Sequence, residues 1–241
     1  MILIHPEYKK LLEQANIKTQ RDIYQFAQGP ETISSSSTSN IWIKYINEQC
    51  FYVKKYEYPK SWRYFLRKGR GLQELHSYDA FSKLCLPHPQ VVCFTEKRKW
   101  ARPLWSIIIT AEIPNSADLS LLFAENQLPT NQQKIIIQQL AESLSLMHSH
   151  HFFHGDFKLR NILLNKSTYD LHFIDCPKGK RTFLFQSKFA LKDLVTIYKS
   201  IHLFCPTMWQ TFLLAYTQKT KSTLTILNNR IIKKFHRKYK K

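Results

Sequence analysis

The chain has 241 residues, 44% of them hydrophobic, and its 36 basic and 17 acidic side chains give a net charge of +19. That length suits one large domain or two small lobes, and the apolar fraction supports a real core, so a disordered chain is excluded. The charge calls for an anionic partner such as a nucleotide, a phospholipid, an anionic glycolipid or a nucleic acid, and it carries no information about fold. Cys50, Cys85, Cys93, Cys176 and Cys205 form an odd, scattered set without metal-like spacing, which implies reduced thiols in a cytosol. No apolar run approaches the length of a membrane span, the first ten residues turn polar too quickly for a signal peptide, and no repeat of fixed period is present.

In chain order, residues 5–28 predict a helical lead-in and residues 31–40, rich in Ser and Thr, a small-residue loop. Residues 41–46 and 50–56 read as two strands around Asn47-Glu48-Gln49. Across 68–84, Leu72, Leu75, Tyr78 and Phe81 recur at helical spacing with Glu74 among them. Residues 106–113 form an apolar strand ending at Pro114. Thr130-Asn131-Gln132-Gln133 reads as a capping box for a helix through Ile136, Leu140, Leu144 and Met147, ending near His148–His151. The spacing of His148, His150, His151 and His154 is unlike a closed zinc site, and His154 is expected to support the following loop by hydrogen bonding. Ile162-Leu163-Leu164 and Leu171-His172-Phe173-Ile174 predict a hairpin around the turn-rich residues 165–170. A helix with Asp193, Leu194 and Ile197 is expected from Lys192, and the last 49 residues make two or three helices.

The hairpin brings its ends together, so Asp156, Asn161 and Asp175 share one small volume. Those residue types suit phosphoryl transfer. One carboxylate orients an attacking hydroxyl and accepts its proton, while an amide oxygen and a second carboxylate hold Mg²⁺ on nucleotide phosphates. Lys158 would neutralise charge on the phosphoryl group in transit.

His154-x-Asp156-x-x-x-x-Asn161 followed by Asp175 resembles the catalytic loop and metal-binding segment of the protein-kinase-like superfamily. Gly155 stands where protein kinases usually have Arg, as in the small-molecule kinases of the superfamily, and Asp175-Cys176-Pro177 replaces Asp-Phe-Gly. The resemblance makes the 31–40 loop a phosphate cover, although it lacks the usual Gly, so a plain surface loop fits as well. It makes Lys54 the phosphate-contacting lysine, with Lys55 as alternative, and Glu74 its ion-pair partner. It makes residues 106–113 the hinge against adenine, with the donor at Glu112 or Ile113 because Pro114 has no N–H.

Val53-Lys54-Lys55-Tyr56, Arg70-Gly71-Leu72-Gln73-Glu74 and Leu84-Cys85-Leu86-Pro87-His88-Pro89, with the loop 154–158, look like the bacterial lipopolysaccharide core kinase family over roughly residues 33–200. Cys85 stands in place of a Gly in that family's Gly-Ile-Pro-x-Pro turn. The resemblance implies an α+β, two-lobed protein-kinase-like fold, with a β-rich N-lobe over 1–113 and a small helical C-lobe over 114–241. It implies ATP and Mg²⁺ as cofactors and phosphorylation of a heptose or Kdo hydroxyl on the core glycolipid, by a cytoplasmic monomer peripheral to the inner membrane face. Between Asp175 and Lys192 there is no Ala-Pro-Glu and no room for a long activation segment, which argues against a protein acceptor.

The rival readings are a tRNA-modification-linked Ser/Thr kinase, an antibiotic phosphotransferase, an inactive kinase-like scaffold and a basic nucleic-acid module. No nucleic-acid motif accompanies the charge. Residues 229–241 hold seven Lys or Arg and no acid, with Ile231, Ile232, Phe235 and Tyr239 at helical spacing. That pattern fits a helix lying on an anionic membrane, and equally a final helix packed on the C-lobe with a solvated basic face.

Overall fold

The computed structural model describes residues 1–220 and 223–239. The chain divides into two compact units, Met1–Asp79 with Pro89–Ile113, and Ala80–His88 with Pro114–Lys241.

The first unit is a six-stranded antiparallel sheet with helices on its faces. Its elements are β1 (Ile2–Ile4), α1 (Lys9–Gln14), α2 (Gln20–Phe26), β2 (Ser34–Ser36), β3 (Ser39–Ile46), β4 (Gln49–Glu57), the start of α3 (Arg70–Lys83), β5 (Val91–Lys99) and β6 (Arg102–Ala111). The sheet order is β1-β5-β6-β4-β3-β2. The helical lead-in is two short helices, broken where Asn16 turns left-handed at φ 60°. The second begins with a capping box between Thr19 and Asp22. Leu12 and Ile23 pack with Phe51, Val53, Ile107 and Ile109 in one core. The Ser-rich residues form strand β2 paired with β3, in place of an irregular loop, with Ser36 Oγ accepting from the N–H of Ser39.

The second unit holds β7 (Ser116–Asp118), α4 (Leu119–Ala124), α5 (Thr130–Ser149), β8 (Phe152–Phe153), β9 (Ile162–Asn165), β10 (Leu171–Phe173), β11 (Lys180–Arg181), α6 (Gln186–Phe204), α7 (Trp209–Thr220) and α8 (Leu224–Tyr239). The expected hairpin is β9–β10, paired Leu171 to Leu164 and Phe173 to Ile162. α5 runs where its periodicity places it, and it buries Ile136, Leu140, Leu144 and Met147. Its capping box is absent. Pro129 is the N-cap, and Gln133 reaches back past it to donate to the Leu128 carbonyl at 2.8 Å. α6 starts at Gln186, six residues before the expected Lys192.

α8 settles the two readings of the tail as far as Tyr239, while Lys240 and Lys241 lie outside the described residues. Its apolar stripe packs on α6 and α7. Ile231 is fully buried, and Phe235 stands edge-on to Tyr198 at 5.0 Å. Ile231 and Phe235 are therefore spent inside the unit, while the basic residues and Ile226 of this helix meet solvent. Among the described residues, no helix is long and apolar enough to cross a membrane.

The end of α3 explains one departure from the family pattern. The Leu86 N–H donates to the Phe81 carbonyl at 2.9 Å and the Cys85 N–H to Ser82 at 3.1 Å, which is a Schellman cap. Cys85 sits at its left-handed position with φ 54°. Glycine takes that conformation without the steric cost that a Cβ brings. Cys85→Gly is expected to stabilise the protein by about 1 kcal/mol, a rise of roughly 2–4 °C in Tm for a chain of this size. Calorimetry showing an unchanged or lower Tm would refute the strain.

Candidate active site

Strand alternation places the two candidate lysines on opposite faces of β4. Lys55 shares the face of Phe51 and Val53. Its Nζ lies 3.1 Å from Tyr24 Oη and 2.8 Å from Glu57 Oε1. Burial alone lowers its pKa, but these two partners more than offset that and the net shift is upward. Lys54 faces α3, with its Nζ 3.3 Å from Glu74 Oε1. Their side chains are 11% and 2% exposed. Glu74 also accepts from Tyr56 Oη at 2.5 Å and Tyr78 Oη at 3.3 Å. A buried carboxylate needs this degree of satisfaction, and the two tyrosines leave the lysine direction fixed. Neither tyrosine was singled out from the sequence as a Glu74 partner.

α3 can approach the sheet only because Gly71 has no side chain, since a Cβ there would run into Ser106. Arg70 at the helix start donates to Thr38 Oγ1 at 2.6 Å, which ties the Ser-rich hairpin to the helix carrying Glu74. At the end of β6, the Glu112 N–H donates to the Cys50 carbonyl at 3.1 Å. That donor is committed within the sheet, so the adenine contact expected at Glu112 or Ile113 does not fall to the Glu112 N–H.

In the second unit the loop 154–161 is hung from one buried carboxylate. Asp193 on α6 is fully buried and accepts from the N–H of His154 at 2.8 Å and of Gly155 at 2.7 Å. His148 Nε2 is 3.4 Å from the same carboxylate, and its Nδ1 is 2.8 Å from Tyr216 Oη. The sequence showed Asp193 only as a helix residue. The available signal was its place four and eight residues before the apolar Ile197 and Ile201, on the face that packs inward.

Asp156 follows at the exposed side of this anchor. Its carboxylate is 2.8 Å from Lys158 Nζ and 3.7 Å from Lys178 Nζ. Burial raises its pKa, yet the hydrogen bond and charge of Lys158, with help from Lys178, hold the carboxyl below its ordinary range. It is therefore ionised at neutral pH. Lys178 was not among the candidates read from the sequence. The Asn161 side-chain nitrogen donates to the Asp156 carbonyl at 3.0 Å, which leaves the amide oxygen as the group that can ligate. Asp175 is close enough to raise the Asp156 pKa by its charge, and the Ile174 N–H beside it donates to the Asn161 carbonyl at 3.0 Å. The structure thus brings Asp156, Lys158, Asn161 and Asp175 together in this unit, and Lys54 with Glu74 in the other. Two oxygen ligands, Asn161 and Asp175, fit Mg²⁺, which keeps several of its own waters. Among the described residues, no group of three or more His, Cys, Asp or Glu could hold a metal.

Two features of the loop correct or explain the sequence. His154 does not support the loop by hydrogen bonding through its ring, because both ring nitrogens are buried without a hydrogen-bond partner. The ring packs instead between Phe81 at 6.1 Å and Phe157 at 5.4 Å. Burial lowers the pKa of the imidazole, although Asp193, Asp175 and Asp156 pull the other way. Cys176, where protein kinases carry Phe, is fully buried, and its thiol donates to the His154 carbonyl at 3.5 Å. It ties the segment that follows Asp175 to the loop.

Gly155 has φ 81°, and a Cβ there would lie 2.7 Å from the Lys178 carbonyl oxygen. The Arg of protein kinases does not fit this backbone. Gly155→Arg is expected to cost about 2 kcal/mol or more in denaturant unfolding, from left-handed strain and overpacking. Wild-type stability in that variant would contradict the geometry.

The family described as "Kdo: Lipopolysaccharide kinase (Kdo/WaaP) family" matches residues 17–216. A solved structure, "WaaP in complex with acyl carrier protein", is similar with a TM-score of 0.75 and 16% identity, over 99% of each chain. At that identity the likeness concerns the fold, which is mixed α/β with an antiparallel N-terminal sheet and a helical remainder. No curated protein matches the chain. A family match over most of the length, on a chain whose kinase-type loop is built as described, shows that this protein belongs to the lipopolysaccharide kinase (Kdo/WaaP) family.

Proposed function

We propose that the chain catalyses ATP-dependent phosphorylation of a heptose or Kdo hydroxyl on the lipopolysaccharide core, as a monomer at the inner face of the cytoplasmic membrane. The observation that carries this reading is an ionised Asp156 held by Lys158 beside Asn161 and Asp175. Asp156 orients the sugar hydroxyl and accepts its proton as the new O–P bond forms. Lys158 spans the carboxylate and the incoming phosphoryl group and offsets the charge that develops there. Lys54, fixed by Glu74, contacts the α/β-phosphates, and the strand end at Ile113 supports the adenine. Asn161 and Asp175 would hold Mg²⁺, whose charge neutralises the phosphate oxygens. Asp156, Lys158, Asn161 and Lys54 are each oriented by a second group, and in a site for phosphoryl transfer most of the catalysis is positioning.

Asp156→Asn and Asp175→Ala are each expected to lower kcat/KM on a core oligosaccharide by about 10² or more with unchanged circular dichroism. Turnover near wild type in either variant would remove that residue from the mechanism.

Lys158→Met gives a second, independent readout. The folded pKa of Asp156 is depressed chiefly by Lys158 acting against burial. Removing the cation lets that pKa rise, so the base form is lost at a higher pH on acidification. The acid limb of the kcat/KM profile should therefore move upward in pH. A limb that stays put, or moves down, would show that Lys158 does not set the Asp156 charge.

A further inference from the structure

The segment from Cys176 to Lys192 carries Lys178, Lys180, Arg181, Lys188 and Lys192 and no acidic residue. The described part of α8 carries Arg230, Lys233, Lys234, Arg237 and Lys238, again without an acid. The structure joins the two runs into one face. Lys180 and Lys234 have depressed pKa values, first from burial and then from neighbouring cations, and Lys188 and Lys192 act on both. Leu191, Arg230, Lys233, Lys234 and Arg237 line a groove of about 420 Å³ in this face.

Between the cations of β11 and those of α6 stands an apolar tip. Phe183, Leu184 and Phe185 are 66%, 70% and 73% exposed. Single exposed apolar residues are ordinary, but three in a row with a cationic surround mark an interaction surface. The tip is held in shape by its own hydrogen bonds. Thr182 Oγ1 accepts from the Leu184 N–H and donates to the Leu184 carbonyl, at 3.1 and 3.3 Å. Gln186 donates to the Phe183 carbonyl at 2.9 Å, and the N–H groups of Lys188 and Phe189 donate to the Phe185 carbonyl. Phe185 is held in the left-handed region at φ 56°. That conformation costs folding energy for a bulky residue and gains no burial in return.

We infer that this face, with the Phe183–Phe185 tip inserted at the acyl boundary and the cations of the 178–192 segment and α8 on lipid phosphates, docks the protein onto an anionic phospholipid bilayer. Charge complementarity selects the lipid headgroups. The tip selects a bilayer over an acidic polypeptide, because three adjacent exposed apolar side chains gain by leaving water at the acyl boundary and have nothing to offer a carboxylate. Ile231 and Phe235 of α8 cannot serve as the inserting element, since they are buried against α6 and α7. This inference rests on the kinase reading for its purpose. The segment that carries Asp175 runs directly into the tip, so docking would bring the catalytic carboxylates to a membrane-embedded glycolipid.

The test is sedimentation with substrate-free vesicles, phosphatidylglycerol mixed with phosphatidylcholine against phosphatidylcholine alone, over a range of salt. The wild-type chain should bind the anionic vesicles, ignore the neutral ones and release as salt rises. K188Q/K192Q/K234Q should weaken partitioning by about 10²-fold. It should also leave Tm unchanged or raise it, because it relieves repulsion among like charges. L184S/F185N should weaken partitioning by about tenfold or more, and Asn tolerates the left-handed position, so folding is preserved. Both variants should keep wild-type turnover on a soluble core oligosaccharide. Full vesicle binding by L184S/F185N, with polyglutamate displacing both forms equally, would overturn the inference and assign the face to an acidic polypeptide. Equal binding to neutral vesicles, or binding to neither kind, would overturn it as well. The expected vesicle pattern in a wild-type chain without turnover would support the docking face and count against the kinase reading alone.

Discussion

The second unit depends on the Asp193 carboxylate. A buried charge is tolerated only when its hydrogen-bonding capacity is met, and here two consecutive backbone N–H groups and an imidazole meet it. The same bonds dictate the loop. Two successive N–H groups aimed at one carboxylate bring the chain to a positive φ at Gly155, and that brings it against the Lys178 backbone. From there Asp156 points away from the anchor, Asn161 closes back on it, and β9–β10 returns Asp175 to the same place. Leaving the two N–H groups unpaired would cost on the order of 1–3 kcal/mol each, which is enough to release the loop from its working shape.

Each unit carries a lysine–carboxylate pair, and the two pairs serve opposite ends. In Lys54–Glu74 the carboxylate is the buried member and the structural one. Its bonds to Tyr56 and Tyr78 make it a fixed support for the lysine. In Lys158–Asp156 the carboxylate is the more open member, with a quarter of its side chain exposed, and it is the one proposed to do the chemistry. The lysine keeps it charged, and in the proposed mechanism it also meets the phosphoryl group. An anion-handling protein needs both arrangements, because a lysine that is free to wander cannot hold phosphate and a protonated Asp cannot take a proton.

Local spacing made much of this legible. Asp156, Asn161 and Asp175 could be placed together because a short hairpin closes the distance between them. Lys54 could be preferred because it directly follows Phe51-Tyr52-Val53, strand alternation kept Lys55 as the alternative on the opposite face, and Glu74 lay on a helix with clear periodicity. What stayed hidden depends on contacts distant in sequence. The Ser run pairs as β2 and its tip is tied down by Arg70, thirty-two residues beyond Thr38. Asp193 meets its partners thirty-eight and thirty-nine residues away. The capping box failed because Pro129 took the N-cap and Gln133 found a different carbonyl. The ring of His154 carried no hint that aromatic packing would replace its hydrogen bonds. For α8, an amphipathic pattern reads the same on a membrane and on a core, and only the position of Tyr198 distinguishes them.

The excess of 36 basic over 17 acidic residues acquires a distribution in the structure. Part of it serves the two lysine–carboxylate pairs, and a larger part lies on the face made by the 178–192 segment and α8. Both uses suit an enzyme that moves phosphate onto an acceptor held at an anionic surface. The central claim is the identity of that acceptor, and mass spectrometry of lipopolysaccharide from cells with and without the gene tests it most directly. The account predicts that core oligosaccharide from cells lacking the gene is lighter by one phosphate on a heptose or Kdo residue, and that the wild-type gene restores it while the Asp156→Asn gene does not. Core of unchanged mass and phosphate content would contradict it.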